Sequence, residues 1–317
     1  MNQTDIQLNR SLNITDTDTN GGRENKAGGI VSGVKFNLFP RVTSSERETG
    51  IVRYRKVFMS NMNTSGETAY GACAGLSSPG NGGDSFYIAI GTHTDTQAEA
   101  EGLAWTGCGQ LAADAYAGDT AIQVYFKGTD YNIPDGCLLI IRSGEDTETV
   151  RAVSASFNGN TATITLQSQI ADSYIASETY AGVMLELGDL TPGFENVSVS
   201  SLTGQFDPSG MALYNAGTEH DTYSITFTSA LSYTAAGAET GVLPSGTISS
   251  SYSPINEKTA RPYFTIPAEC FSGTFEAGNS ISFDTRPASA GFWIKESVPA
   301  GCAHEPDNKT TIDWLID

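Results

Sequence analysis

A period of two runs through this chain and limits its fold more than any other feature. In "TATITLQ", Ala162, Ile164 and Leu166 fall on one face and threonines on the other. In "DTYSITFTS", Tyr223, Ile225 and Phe227 alternate with Thr222, Ser224, Thr226 and Thr228. Successive side chains of an extended strand point to opposite faces, so both stretches read as half-buried antiparallel strands. Other short apolar runs are bounded by turn residues: "SFYIAIGT", "AIQVYF", "GCLLIIR", "ETVRAVSASF", "GVMLEL", "GFWIKESV" and "TTIDWLI". Asn158-Gly159 in "FNGN" is a hairpin signal, and "FEAGNSISF" reads as another hairpin. The expectation is an all-β chain with little helix.

Helix is expected in one clear place. Thr43 or Ser44 can cap a short helix, with Glu46 or Glu48 reaching back and Gly50 ending it. The strand "IVRYRKVF" follows. "LAADAYAGDT" is the other stretch where a helical turn is plausible. Residues 1–33 are polar, rich in Asn, Thr and Asp, and without periodicity. Such a segment cannot bury apolar surface of its own, so an extended N-terminal arm held by a neighbouring subunit is expected. Residues 113–189 read as an inserted small all-β domain, and 34–112 with 190–317 as the main β-sandwich. Residues 235–262 show no strand pattern and read as one long loop of functional or interfacial kind.

Composition narrows the function classes. The chain has 317 residues, 39% of them hydrophobic, enough for a sizeable core. Its 36 acidic residues against 17 basic ones give a net charge of −19, which disfavours tight binding to nucleic acid. No run of apolar residues is long enough to span a membrane. The N-terminal stretch has neither a basic region nor an apolar run, so no secretory signal is expected, and the chain should be made and kept in a cytoplasm. The five cysteines, Cys73, Cys108, Cys137, Cys270 and Cys302, are widely spaced and lack a CxxC pair, which favours free thiols. Sequons such as those at Asn2, Asn13, Asn63, Asn196 and Asn308 then follow from a Thr-rich composition.

The search for chemistry finds little. "DTDTNGG", Asp16 to Gly22, resembles the first half of an EF-hand loop, but its twelfth position is Ala27 where a bidentate carboxylate is needed. Its flanks also lack the helices, so the stretch reads as a flexible joint in the arm. His93, His220 and His304 have no partner at metal-ligand spacing and read as exposed loop residues. No nucleophile, phosphate-loop or zinc-protease motif occurs, so no catalytic residue, metal or cofactor is assigned and the chain is not expected to be an enzyme. Trp105, Trp293 and Trp314 could stack on sugars, though packing is the commoner fate of tryptophan. One basic cluster stands out: Arg41, Arg47, Arg53, Arg55 and Lys56. It reads either as a solvated strand face or as a basic patch meeting an acidic patch on another subunit.

Two segments, "FNLFPRVTSSERETGIVRYRKVF" and "RPASAGFWIKESVPAG", resemble virion structural proteins of long-tailed bacteriophages, and the resemblance spans roughly residues 34–317. Within that class the role it implies is the tail tube, or major tail, protein. It implies β-sandwich subunits joined into hexameric or trimeric rings, stacked into a tube whose acidic lumen lets DNA pass without sticking. Partners would be copies of itself and other tail proteins, with no membrane, in a virion tail assembled in the bacterial cytoplasm. A head decoration, neck or baseplate component is the structural alternative, and a carbohydrate-binding or host-recognition module the non-structural one.

Overall fold

A computed structural model describes residues 3–317, so the Asn2 sequon lies outside the described residues. The chain is all-β, as the alternation predicts. Its first strands are β1 (Ile6–Asn13), β2 (Gly21–Gly29), β3 (Ile51–Asn61), β4 (Ala69–Ser78), β5 (Ser85–Ile90) and β6 (Thr106–Leu111). Then come β7 (Ala121–Tyr125), β8 (Leu138–Ser143), β9 (Asp146–Asn158), β10 (Thr161–Leu166) and β11 (Thr179–Leu190). With the later strands Ser289–Val298 and Thr311–Leu315 they form one 13-stranded sheet.

Part of this sheet closes on itself. β6 pairs with β7, and β7, β10, β9, β8 and β11 follow in order. Pairing of β11 back to β6, Ala181 opposite Gly109, completes a six-stranded antiparallel barrel. Closure removes sheet edges, and the interior takes alternate side chains. Ala162, Ile164 and Leu166 point inward with Ile122, Val124, Ile141 and Val150, while Thr163 and Thr165 face solvent. The β9–β10 hairpin turns at Gly159, whose φ of 58° suits glycine, and at Asn160.

Residues 113–189 are therefore not detached from the main body. Their barrel needs β6 for a wall, and β6 and β11 also pair with β5 and β4. Their core continues into Tyr87, Ala89, Trp105 and Trp293. The stretch that carries its own sheet is 193–286. Strands Gly193–Ser200, Ser280–Arg286, Asp221–Phe227, Ser232–Gly237 and Gly241–Thr247 lie side by side in that order. Tyr223, Ile225 and Phe227 face a separate core with Tyr233, Phe264, Phe271 and Phe283. Phe275 stacks on Phe227 at 4.0 Å. The expected hairpin over "FEAGNSISF" reduces to the single strand from Ser280, because Phe275 is spent on this stack.

Three other expectations need correction. First, residues 6–29 are a β-hairpin inside the fold, with β1 paired to β3 from Ile6–Asn61 to Arg10–Val57. Asn9, Ser11, Asn20, Glu24 and Lys26 are buried there. Polar composition predicts an arm only where polar groups lack internal partners, and these have them. Second, the 235–262 stretch contains strands over Ser232–Gly237 and Gly241–Thr247 and the short Ile255–Asn256 and Arg261–Pro262 ladder. Gly241–Thr247 is the edge strand of its sheet and the last two are two-residue strands. Ser232–Gly237 lies between two neighbours but carries only Tyr233 and small residues on its buried face, so alternation in apolar size is weak. Third, no helix forms over residues 111–120. The second α-helix is Gln97–Ala100 (α2).

The first helix is where the sequence places it. Helix α1 spans Ser44–Thr49, with Thr43 as N-cap and Glu46 closing a capping box. Gly50 follows with φ 81° and leads into β3.

Candidate functional site

The basic cluster is built from the start of β3. Arg53, Arg55 and Lys56 are 3%, 5% and 1% exposed, because β3 runs between β1 and the Ser289–Val298 strand. A buried cation must find internal acceptors. Arg53 reaches Glu46 at 2.5 Å and Glu296 at 3.5 Å. Arg55 donates to Asp16 at 2.7 Å and to the carbonyls of Thr15 and Leu38 at 3.0 and 3.2 Å. Lys56 pairs with Asp95 at 2.5 Å and donates to the Gly22 carbonyl at 2.7 Å. These three residues are internal cross-ties, so the reading of them as an intersubunit patch is corrected. Arg47 donates to the Val42 carbonyl just before its own helix and to the Ser44 hydroxyl in the helix's first turn. Arg41 is exposed.

Some of the partners of the cluster come from "DTDTNGG". Asp16 is held by Arg55 and Arg53. Asn20 is fully buried and donates to the Tyr54 carbonyl at 2.8 Å. Gly21 has φ 102°, and a β-carbon there would lie 2.5 Å from the Trp293 ring. Glu24 points the other way, accepting from Asn9 at 2.7 Å, Ser60 at 2.5 Å and Ser289 at 2.8 Å. Burial pushes the Glu24 carboxyl up, but Lys26 and these hydrogen bonds outweigh it and hold it below its ordinary value. The acids of the loop thus diverge, each into its own contacts. Among the described residues no group of three His, Cys, Asp or Glu is placed to hold a metal ion.

The hairpin also ties the two sheets together. Lys26 donates to the Asn215 carbonyl at 3.1 Å, and Arg23 pairs with Glu239 at 2.9 Å. At this seam His93 and His220 meet edge to face, with ring centroids 5.5 Å apart. Both are partly buried, which corrects their reading as exposed loop residues. Burial, with the neighbouring His220, lowers His93 to about 4, and burial likewise lowers His220. Both imidazoles are neutral at physiological pH. They border a cleft of about 410 Å³ that also touches Ile90, Leu187, Glu186 and Arg286. Sequence reasoning missed this pairing because 126 intervening positions separate the residues, and only the fold brings them together. Of the tryptophans, Trp105 and Trp293 are core residues and Trp314 is half-buried, so the first two offer no sugar-stacking face. All five cysteines are free thiols, and Cys73, Cys108 and Cys270 are buried.

The most exposed apolar feature near the hairpin is the loop after β2. Val31, Val34 and Phe36 are 63%, 55% and 62% exposed. The loop closes on itself through an Asn37 side-chain hydrogen bond to the Val31 carbonyl, and Arg10 clamps Asn37 from below. Phe36 has φ 58°, an uncommon value for a bulky residue. The loop is fixed at its base while its apolar tips face outward.

No known protein family matches this chain. No curated protein matches it either. Among the solved structures that align with it are two from one phage. One is the VP16-VP17 complex, a complex of the two major capsid proteins of bacteriophage P23-77, at 6% identity over 78% of this chain and 89% of that one, with a TM-score of 0.17. The other is VP17, a capsid protein of bacteriophage P23-77, at 7% identity over 79% and 89%, with a TM-score of 0.16. At such scores the likeness carries no argument about fold or role.

Proposed function

We propose that this chain is a structural protein of a phage virion, and within that class a self-assembling subunit of the tail tube. The observation that carries the reading is the closed loop presenting Val31, Val34 and Phe36 to solvent. An apolar tip on a rigid base costs solubility and gains contact area only when another surface covers it. The segments quoted above, from Phe36 and from Arg286, supply the phage resemblance. Charge supplies a second support. The buried cations Lys26, Arg53, Arg55, Lys56 and Lys295 are balanced by the buried carboxylates Glu24, Asp84, Asp95, Glu219, Asp221 and Glu296. Nearly all of the net charge of −19 is therefore carried at the surface. An acidic surface repels a DNA backbone, as a conduit for DNA requires.

The reading is tested by sedimentation velocity across a wide concentration range, with wild type and Phe36→Glu side by side. Wild type should shift to large species with rising concentration, and the variant should stay small. Wild type that remains monomeric throughout overturns the self-assembly reading. A closed particle of fixed size would instead favour a head decoration, neck or baseplate component.

A further inference from the structure

The contact between Lys56 and Asp95 has features beyond those of an ordinary ion pair. The Lys56 side chain is 0% exposed and that of Asp95 7% exposed, with Nζ and Oδ1 2.5 Å apart. Two aromatic rings border the ammonium, Phe58 at 5.0 Å and Trp293 at 5.8 Å from their centroids. Trp293 donates its indole N–H to the other carboxyl oxygen, Oδ2, at 2.8 Å. The backbone N–H of Thr92 donates to Oδ1 at 3.1 Å. Two glycines keep the site this close: a β-carbon at Gly91 would lie 2.9 Å from the Trp293 ring, and one at Gly21 would lie 2.9 Å from the Asp95 carbonyl oxygen.

From this geometry we propose that Lys56 and Asp95 condense to an intramolecular isopeptide bond. The Lys56 side chain is sealed from water and that of Asp95 nearly so. A low-dielectric site lowers the cost of moving a proton from ammonium to carboxylate to give a neutral amine beside a neutral acid. Burial also lowers the Lys56 amine from its ordinary value, against the opposing pull of Asp95. The amine lone pair attacks Cγ of Asp95, forming the Nζ–Cγ bond and placing negative charge on Oδ2. The Trp293 N–H already points at that oxygen and stabilises the charge as it develops. The Cγ–Oδ1 bond then breaks. Oδ1 carries the proton first received from the ammonium, takes a second from Nζ, and leaves as water. The balance is one amine and one acid giving one amide and one water, with no oxidant, reductant or activated donor. Holding the two groups in contact supplies an effective molarity on the order of 10⁵ M or more, which favours condensation without an external co-reactant.

The bond would tie central strand β3 to the loop after β5, across 38 intervening residues, in a chain whose cysteines are all free. The inference does not depend on the proposed virion role. The test is the intact mass of the full-length protein under denaturing conditions, followed by a peptide map. The proposal expects wild type to be lighter than its sequence by one water, with the Lys56 and Asp95 peptides recovered joined. It also expects Lys56→Met to have its full sequence mass. The wild-type measurement needs no variant to fold. Wild type at full sequence mass overturns the proposal and leaves the pair a salt bridge. So does a missing water that persists in Lys56→Met, because the dehydration then lies elsewhere.

Discussion

Arg55 donates to Asp16 at 2.7 Å, joining the most basic stretch of the sequence to its most calcium-like one. Two features that each suggest an external partner when read alone thus satisfy each other. Arg55 is itself buried and also serves the Thr15 and Leu38 carbonyls, so its loss removes several partly buried hydrogen bonds and leaves a cavity. Arg55→Ala should destabilise the fold by about 3 kcal/mol. Asp16→Ala should cost only about 1 kcal/mol, because the Asp16 side chain is half exposed and screened by solvent. Urea unfolding midpoints check both. Equal and negligible effects would mean that the pair is not formed.

Gly21 and Trp293 define the seat of the hairpin. With φ at 102° and a β-carbon position 2.5 Å from the indole, Gly21→Ala combines backbone strain with overlap. A loss of about 3 kcal/mol or more is expected. Gly33→Ala is the comparison, since it shares a positive φ but has open space around it. A calorimetric melt of the two variants should show the larger fall in Tm for Gly21→Ala.

Glu296 is 4% exposed, and burial together with the nearby Asp84 raises its carboxyl to about 7 against the opposing pull of Arg53. The folded state therefore holds a proton there that the unfolded state releases near 4.5. Its contribution to stability is fully present below pH 4.5 and fades as pH rises through about 7. Glu296→Gln removes that dependence. The difference in stability between variant and wild type should shift by on the order of 3 kcal/mol across the window, in the variant's favour as pH rises. Denaturation at closely spaced pH values measures it, and parallel curves would refute the assignment.

His93 works in the opposite direction. Its folded value is lowered to about 4 from 6.5, chiefly by burial and then by His220, Lys56 and Arg286, against the pull of Glu24. The stability it contributes is present above pH 6.5 and is lost as pH falls through about 4. His93→Gln should therefore lose less stability than wild type on acidification through that window. An NMR titration of the His93 ring gives an independent reading, and an unshifted imidazole would contradict the burial seen at the seam.

The sequence makes the strands legible where one face is wet and the other dry. Residues 161–166 and 221–227 alternate in burial as read, and the Thr43–Glu46 capping box sits where the spacing puts it. Alternation is silent where a strand is buried on both faces, as from Arg55 to Asn61, and where a ladder is only two residues long. The hairpin at 6–29 was hidden for a different reason. Its stability comes from polar contacts such as Asn9–Glu24 and Asn20–Tyr54, whose partners lie up to 34 residues away. The basic cluster misleads for the same reason, since its acidic partners Asp95 and Glu296 are distant in sequence. His93 and His220 become neighbours only once two separate sheets meet.

Self-assembly is the central claim, and negative-stain electron microscopy of the purified chain at high concentration tests it most directly. The tail-tube reading expects stacked rings or tubes of uniform diameter that disappear when Val34 and Phe36 are both changed to Glu. Isolated monomers at every concentration, identical in wild type and the double variant, would contradict it.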